Sequence, residues 1–583
     1  ISEFIVEYLK KQGVTHGYFM IGGALGILAD ACAVKKFTLY TLHHEQSAAF
    51  AAEAQAISTR NLGLAMATSG PGATNLITGI ASAYFASAPV LFITGQVNTF
   101  ESNIDGKRRQ VGFQEMDIVG MITGVTKYAV LVSDAKKARY HIEKAIFLAK
   151  HGRMGPVLLD LPFNIQKAEL GTDSEHFIGS AEHKNLMEKH FDEQQIKKAV
   201  DLISKSERPV VLVGHGVRLA GAEKKLMQFL EQSGIPAVTS LLGTDCVPHD
   251  YPRFYGFIGT YAQRYSNFAL ANSDLIIALG SRLDSRQVGV QSSKFAPAAK
   301  IIHVDIDKNE LGASITEALS INCDVGVFLG KIMECPVKPK PMEEWIGYLD
   351  WLKKTYPRVE QKMRPGEIDP VLLISEASDF AEEGSSVSSD VGSNQMWFAQ
   401  GWKAKRNQTV LTNGGHGPMG YSLPAAIGAS ISGNSAPVWM VSGDGGFQIN
   451  IQELQTVKRH KLPLKMIVLN NGVLGMLTQF QTENFEGRLT GSADGYDAPD
   501  FVRVANAYGI NARKLDDAGD MRKSLKWLAE SEGPALLEVA IPQKYWVYPK
   551  SVYSKPVHDM KPFLERSEYC RALKYLEKAD ISE

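Results

Sequence analysis

Cysteine is scarce in this 583-residue chain: Cys32, Cys246, Cys323, Cys335 and Cys570 are the only five, and no two form a CxxC pair. This excludes a disulfide framework and a thiolate zinc site, and it fits a reducing cytoplasmic compartment. Long apolar runs are also missing, and nothing approaches the roughly 18 residues that a membrane span needs. Neither charge sign is in excess: 62 Lys and Arg face 63 Asp and Glu, for a formal net charge of −1. A global bias toward nucleic acid or an anionic membrane is thereby excluded. No repeat of about 20 to 50 residues recurs, so the chain is not a solenoid. The opening stretch, ISEFIVEYLKKQG, lacks a basic region ahead of an apolar one. It reads as an amphipathic helix rather than a signal peptide, and with no initiator methionine a short leader is expected to precede it.

What is present is ordinary globular composition, 44% hydrophobic and 21% charged, over a length that calls for about three domains. Strand-like stretches (LGLAMAT, VLFITGQ, VLLDLP) alternate with helical ones (EQSAAFAAEAQAI, ATNLITGIASAYF), the pattern of parallel sheets with crossover helices. The same alternation recurs twice more. The expected fold is α/β, with three doubly wound parallel-sheet domains at 1–168, 190–336 and 365–548 and a C-terminal tail at 549–583. The polar stretch ELGTDSEHFIGSAEHKNLMEKH reads as a linker, and CPVKPKPMEEW as the end of the second block.

The most informative segment is VWMVSGDGGFQINIQELQTVKRHKLPLKMIVLNN, Val438 to Asn471. An apolar strand ends in Gly443-Asp444-Gly445, an amphipathic helix follows, and a second apolar strand ends in Asn470-Asn471. This βαβ unit places oxygen donors at the carboxyl ends of both strands, where open α/β sheets bind ligands. Asp444 and Asn471 are hard donors suited to Mg²⁺, which keeps few protein ligands and completes its octahedron with phosphate and water. Gly443, Gly445 and Gly446 let a diphosphate approach the backbone and a helix N-terminus. The spacing resembles the thiamin diphosphate motif. That cofactor needs a carboxyl at its pyrimidine ring, and Glu45 in TLYTLHHEQSAAFAAEA, after a strand and at the start of a helix, is the candidate.

LHHEQSAAFAAEAQA, ATSGPGATNLITGIASAYFASAPVLFITGQV, GFQEMDIVG, GHGPMGYSLPAAIGA and GDGGFQINIQEL…LNNGVLGM, in that order, resemble the acetolactate synthase (acetohydroxyacid synthase) family over nearly the whole chain. The resemblance implies pyrimidine-binding, central nucleotide-binding-like and diphosphate-binding domains. It also implies active sites shared between subunits, Glu45 from one and Asp444 from the other, in a homodimer or homotetramer. Carried over by position, Glu45 serves the pyrimidine nitrogen, Gly417 offers its carbonyl to the pyrimidine amino group, and Met419 wedges the cofactor into its bent shape. Asp444, Asn471 and the Val473 carbonyl match the metal ligands. Val391, Gly392, Ser393 and Asn394 match a diphosphate loop, Gly22 and Gly23 a glycine turn, and Gly475 the cofactor-side segment that continues into Met476. Gly72, Ala73, Thr74 and Asn75 after Pro71, with Phe113, Gln114, Met476 and Phe480, match the substrate wall.

The resemblance also implies an FAD that carries out no net redox chemistry, held in the central block. Gly214 and Gly216, Ser240 and Leu241, Gly280, and the R-x-D-x-R of Arg282, Asp284 and Arg286 match flavin-contacting positions, with Arg286 also at the catalytic end. Asp305 and Asp324 match positions near ribose and adenine. A mere Arg282–Asp284 pair is the competing reading. Where the family carries GMHG, this chain has Gly259-Thr260-Tyr261-Ala262. The family's P-G-G reads Ile21-Gly22-Gly23, Phe480 stands where 2-oxobutyrate-preferring members carry tryptophan, and the loop NTFESNIDGKRRQVG is longer and holds Lys107, Arg108 and Arg109.

The expected activity is decarboxylation of pyruvate on the cofactor, then carbon–carbon bond formation with a second 2-oxo acid. Two alternatives stay open. One is transfer of the two-carbon unit to a keto-sugar nucleotide, where the cationic loop would meet an anionic acceptor. The other is simple 2-oxo acid decarboxylation or C–C hydrolysis. The expected partners are pyruvate and a carbonyl acceptor, with no nucleic acid and no membrane.

Overall fold

The computed structural model describes residues 1–103, 106–187, 192–433 and 436–577. Each of the three blocks folds around its own six-stranded, all-parallel sheet. The first uses His16–Phe19, Thr38–Thr41, Gly63–Ala67, Val90–Gln96, Tyr128–Leu131 and Val157–Pro162, in the spatial order second, first, third, fourth, sixth, fifth. The third uses Ser386–Ser389, Thr409–Leu411, Val438–Gly443, Leu464–Asn470, Asn511–Leu515 and Ala535–Ala540 in that same order. The central sheet differs. Pro209–Val213, Ala237–Thr239, Phe254–Phe257, Leu275–Leu279, Lys300–Asp305 and Leu319–Asn322 run third, second, first, fourth, fifth, sixth. That is the dinucleotide-binding order, which reverses direction between its first and fourth strands.

The inner strands are buried on both faces, as helix-covered parallel sheets require. The helix Glu45–Thr59 buries twelve of its fifteen residues, and six of the fifteen are alanine. It has no polar face because it is covered from both sides. Helix Pro71–Phe85 packs on it from its own block and helix Ser422–Ser432 from the third, so the first and third blocks share one continuous core. Small residues permit this approach: a Cβ built at Gly428 would lie 2.2 Å from the Ala51 carbonyl oxygen.

Three segments depart from the sequence reading. The supposed linker is partly docked. Phe177 is fully buried against Tyr140 and Phe147, and the amides of Phe177 and Ile178 donate to Glu143 Oε2. Helix Glu343–Thr355 and the C-terminal tail, both outside the expected bounds of the central block, pack onto it. Trp345, Tyr348 and Leu349 form one cluster with Tyr569, Ala572, Leu573 and Leu576, and Arg264 donates to the Met560 carbonyl. Finally, the crossover after Asp444 is broken rather than continuous: Asp444–Ile449, a 3₁₀ turn Ile451–Glu453, then Leu454–His460. The break falls at Asn450, whose buried side chain donates to Gly420 O and Gln46 and accepts from Ser47 Oγ.

Candidate active site

At the carboxyl end of the third sheet, the loops after Ser386–Ser389, Val438–Gly443 and Leu464–Asn470 converge. Asn394 Nδ2 donates to the Asp390 carbonyl, and its Oδ1 lies 3.3 Å from a Cβ built at Gly443. Gly475 faces Ser393 Oγ and the Asn471 amide in the same way. A side chain at Gly445 would strike Leu474 Cδ2 at 2.7 Å and Met419 Cε at 3.0 Å. Val391, Gly392, Ser393, Asn394, Gly443 to Gly446, Asn471, Val473, Gly475 and Met419 thus form one cradle at the strand ends. Asp444 is nearly fully buried, and burial raises its pKa to about 6, with Tyr496 beside it. Among the described residues its Oδ2 has no hydrogen-bond partner. A buried carboxylate oxygen without a donor is costly unless a cation meets it.

The turn carrying Gly417 and Met419 lies beside this cradle. It is held by Asp390, a fully buried carboxylate that accepts from Val391 N, Gly420 N, Ser422 N and Ser422 Oγ at 2.9–3.1 Å. Burial still raises the Asp390 pKa. Met476 is partly buried. Phe480, one turn on, is exposed at the surface with its ring edge-on to Phe485.

Glu45 opens its helix at the carboxyl end of the first sheet, its start capped by His44, which accepts from Gln46 N. It is buried, and its Oε2 accepts from Asn75 Nδ2 at 2.9 Å. Gly22 packs on Thr68, Gly72 lies against Glu45, and Gly70 against Gln114, while Gly23 opens a short 3₁₀ turn. Gln114 itself is left-handed at φ 62°, an unfavourable conformation for a non-glycine residue and common where a side chain is aimed at a site. Phe113 beside it is 86% exposed. Among the described residues no hydrogen bond or ion pair joins Glu45 to the Asp444 cradle.

The central sheet carries a cavity at its point of strand reversal. Gly214 and Gly280 end the first and fourth strands and touch there: a Cβ at Gly214 would lie 2.1 Å from Gly280 O. Gly216, Ser240, Leu241 and Gly280 line this cavity. Arg282, Asp284, Arg286 and Asp305 line it as well, and burial raises the Asp305 pKa. Arg282 does pair with Asp284, at 3.2 Å. Gly214 lies behind the lining. Asp324 does not line the cavity either, and its carboxylate caps helix Val325–Met333 through Gly326 N and Val327 N.

Comparison with known proteins accounts for all three regions. Residues 1–121 match the thiamine pyrophosphate enzyme N-terminal TPP binding domain, 196–332 the central domain of these enzymes, and 390–539 their C-terminal TPP binding domain. The acetolactate synthase isozyme 2 large subunit of Escherichia coli is 36% identical over 94% of this chain and 96% of its own. The probable acetolactate synthase large subunit of Methanocaldococcus jannaschii is 34% identical, covering 93% and 91%. This chain belongs to the acetolactate synthase family. The chloroplastic acetolactate synthase of Arabidopsis thaliana, at 34% identity over 94% of this chain and 82% of its own, extends the likeness to plants.

As a member of the acetolactate synthase family, the chain is a thiamin diphosphate-dependent enzyme, and its residues fit that cofactor. Glycines clear the backbone for a diphosphate, and the unpartnered Asp444 oxygen with the neutral Asn471 amide offers hard donors for a divalent cation. Among the described residues no group of three or more His, Cys, Asp or Glu is placed to hold a metal ion. Sequence reasoning placed Asn75 on the substrate wall and not beside Glu45, and it missed Asp390, Asn413 and Tyr496. Asn413 precedes Gly414-Gly415 and Tyr496 lies between Gly495 and Asp497, but neither pattern names a partner; only folding brings each against a site residue. No helix among the described residues is long and apolar enough to cross a membrane.

Proposed function

We propose that the enzyme takes pyruvate as donor, releases CO₂, and joins the remaining two-carbon unit to a second 2-oxo acid. The observation that carries this reading is the buried Asp444 oxygen, unpartnered among the described residues, in a glycine-cleared cradle, within a chain that matches an acetolactate synthase large subunit over 94% of its length. When bound, thiamin diphosphate supplies a nucleophilic carbon that adds to the oxo group and accepts the electron pair left by CO₂. Asp444, Asn471 and the Val473 carbonyl would hold Mg²⁺, and Ser393 and Asn394 the diphosphate. Glu45 would share a proton with the pyrimidine ring, oriented by Asn75. The Gly417 carbonyl would accept from the ring's amino group. Gln114, aimed by its left-handed backbone, would hydrogen-bond a substrate oxygen.

Glu45 and the Asp444 cradle would come from different copies, in a homodimer or a dimer of dimers. Two exposed apolar sets, Ile21, Phe100 and Phe113 on the first block and Met419, Ile449 and Phe480 on the third, support that pairing. FAD would occupy the central cavity, its pyrophosphate near Gly216 and Gly280 and a ribose near Asp305. A protein purified without flavin absorbance near roughly 450 nm would refute that assignment.

One observation favours a second acceptor. Glu115 gathers the amides of Asn103, Val111 and Gly112, folding the long loop so that Lys107, Arg108 and Arg109 are exposed close to Phe113. Such cations suit an anionic acceptor such as a keto-sugar nucleotide. Incubation with pyruvate, thiamin diphosphate and Mg²⁺, followed by mass spectrometry, separates the readings: acetolactate from pyruvate alone supports the first, and a branched sugar formed only with the nucleotide supports the second. Absence of CO₂ release from pyruvate under both conditions would overturn the donor.

A further inference from the structure

The Gly417 turn is held at two ends by groups of different kinds. Asp390 takes the far end at Gly420 and Ser422. The near end is held by Asn413, which follows strand Thr409–Leu411 and is 3% exposed. Its Oδ1 accepts from His416 N and Gly417 N, both at 2.9 Å. Its Nδ2 donates to Ser82 Oγ at 2.8 Å, on helix Pro71–Phe85 of the first block. Its carbonyl accepts from Gln395 Nε2 at 3.0 Å, and the same nitrogen donates to Thr412 Oγ1 at 2.8 Å. One buried amide therefore uses both ends of its side chain and its own carbonyl. Gly417 sits at φ 67°, a left-handed conformation that glycine reaches without steric cost, so no side chain of its own fixes its peptide planes. Below this network lies Glu53, fully buried on helix Glu45–Thr59 and facing Ser82, Asn413 and Tyr421.

We propose that Asn413 is a positioning residue, one that aims the Gly417 carbonyl at the amino group of the cofactor's pyrimidine by gripping both amides of the turn while anchored on Ser82. This rests on the reading of Gly417 given under Proposed function. The physical reason is orientation. Removal of the Asn413 amide takes the acceptor away from His416 N and Gly417 N and frees the peptide plane that enters Gly417, one torsion before its carbonyl, while Asp390 still holds Gly420 and Ser422. Because the anchor Ser82 lies in the first block, the aim of a third-block carbonyl depends on how the two blocks dock.

The test compares Asn413→Ala, Asn413→Ser and Ser82→Ala with the parent and with Glu45→Gln. Serine can accept from nearby backbone amides, more weakly than asparagine. Asn413→Ala is expected to lower kcat roughly 10- to 100-fold with KM for pyruvate nearly unchanged, and Asn413→Ser to recover most of the loss. Two readouts do not depend on turnover. In the apo protein, amide exchange across 414–420 should rise about tenfold in Asn413→Ala while helix Ser422–Ser432 keeps its protection. In the protein loaded with thiamin diphosphate and Mg²⁺, the circular dichroism of the bound aminopyrimidine should change in Asn413→Ala and return in Asn413→Ser. If Asn413→Ala does not fold, Asn413→Ser and Ser82→Ala carry the test, with intermediate kcat and intermediate exchange expected. Parental kcat and exchange in the folded variants, alongside an inactive Glu45→Gln, would overturn the positioning role alone. Parental turnover in Glu45→Gln would instead overturn the site reading on which it rests.

Discussion

At the scale of the residue, burial decides what each acidic group does. Glu45, Glu53, Asp390 and Asp444 are all buried, yet they differ in partners. Asp390 is satisfied by four donors, while among the described residues Asp444 keeps one oxygen without a hydrogen-bond partner, the oxygen proposed to meet a cation. Glu45 accepts from Asn75. Glu45→Gln keeps its shape and removes the titrating proton, so kcat should fall about 10²- to 10⁴-fold with little change in melting temperature. For Glu53, burial raises the pKa from 4.5 to about 7. Below pH 4.5 folded and unfolded chains are both protonated. Between 4.5 and about 7 the unfolded chain gives up its proton first, so stability falls as pH rises through that window and levels off above it. Glu53→Gln should abolish this slope, worth roughly 3 kcal/mol in full, as read from denaturant midpoints at pH 5 and pH 8.

At the scale of the element, the helix Glu45–Thr59 is the component on which two blocks close. Its alanine run was legible as a helix. Its lack of a polar face was not legible as double coverage, because periodicity reports one packed face and says nothing of a second. The close approach at Gly428 predicts its own failure. Gly428→Ala should force the helices apart and destabilise by about 1–3 kcal/mol, lowering activity with it because Glu45 and the Gly417 turn both ride on this contact. Gly347, inside helix Glu343–Thr355 with nothing within 4 Å of a built Cβ, is the control: Gly347→Ala should stabilise by about 1 kcal/mol. Thermal or denaturant unfolding of the two variants side by side checks both signs. The broken crossover at Asn450 belongs to this scale too. The apolar pattern after Asp444 is continuous, but Asn450 gives its side chain to partners on two other segments, and no local propensity encodes those.

At the scale of the whole molecule, the first and third sheets share one strand order and one core, while the central sheet carries the order of a dinucleotide fold. The tail and helix Glu343–Thr355 complete the central block, although one lies after the third block and the other before it. Ligand binding should act at this scale. Thiamin diphosphate with Mg²⁺ at about 100 times the dissociation constant should add about 2.7 kcal/mol to stability, reversed by EDTA. Under the proposed division of each site between copies, that gain should shrink on dilution below the dimer dissociation constant. Differential scanning at two protein concentrations reads both effects, and a ligand shift that does not depend on protein concentration would argue against shared sites.

The sequence by itself determined the local chemistry: the glycine-flanked Asp444 and Asn471 at strand ends, Glu45 at a helix start, the alternation that makes parallel sheets, and the segments that place the chain among acetolactate synthases. These are short-range facts, set by residue type and spacing along a few dozen residues. The tertiary structure alone decided which distant groups meet. It brought Asn413 to Ser82, Asp390 to Gly420, Asn75 to Glu45, and the tail to Trp345. Those pairings follow from how the sheets and helices dock, and docking is fixed by the summed burial of many apolar side chains. No single segment carries that sum, so none of its consequences could be read one segment at a time.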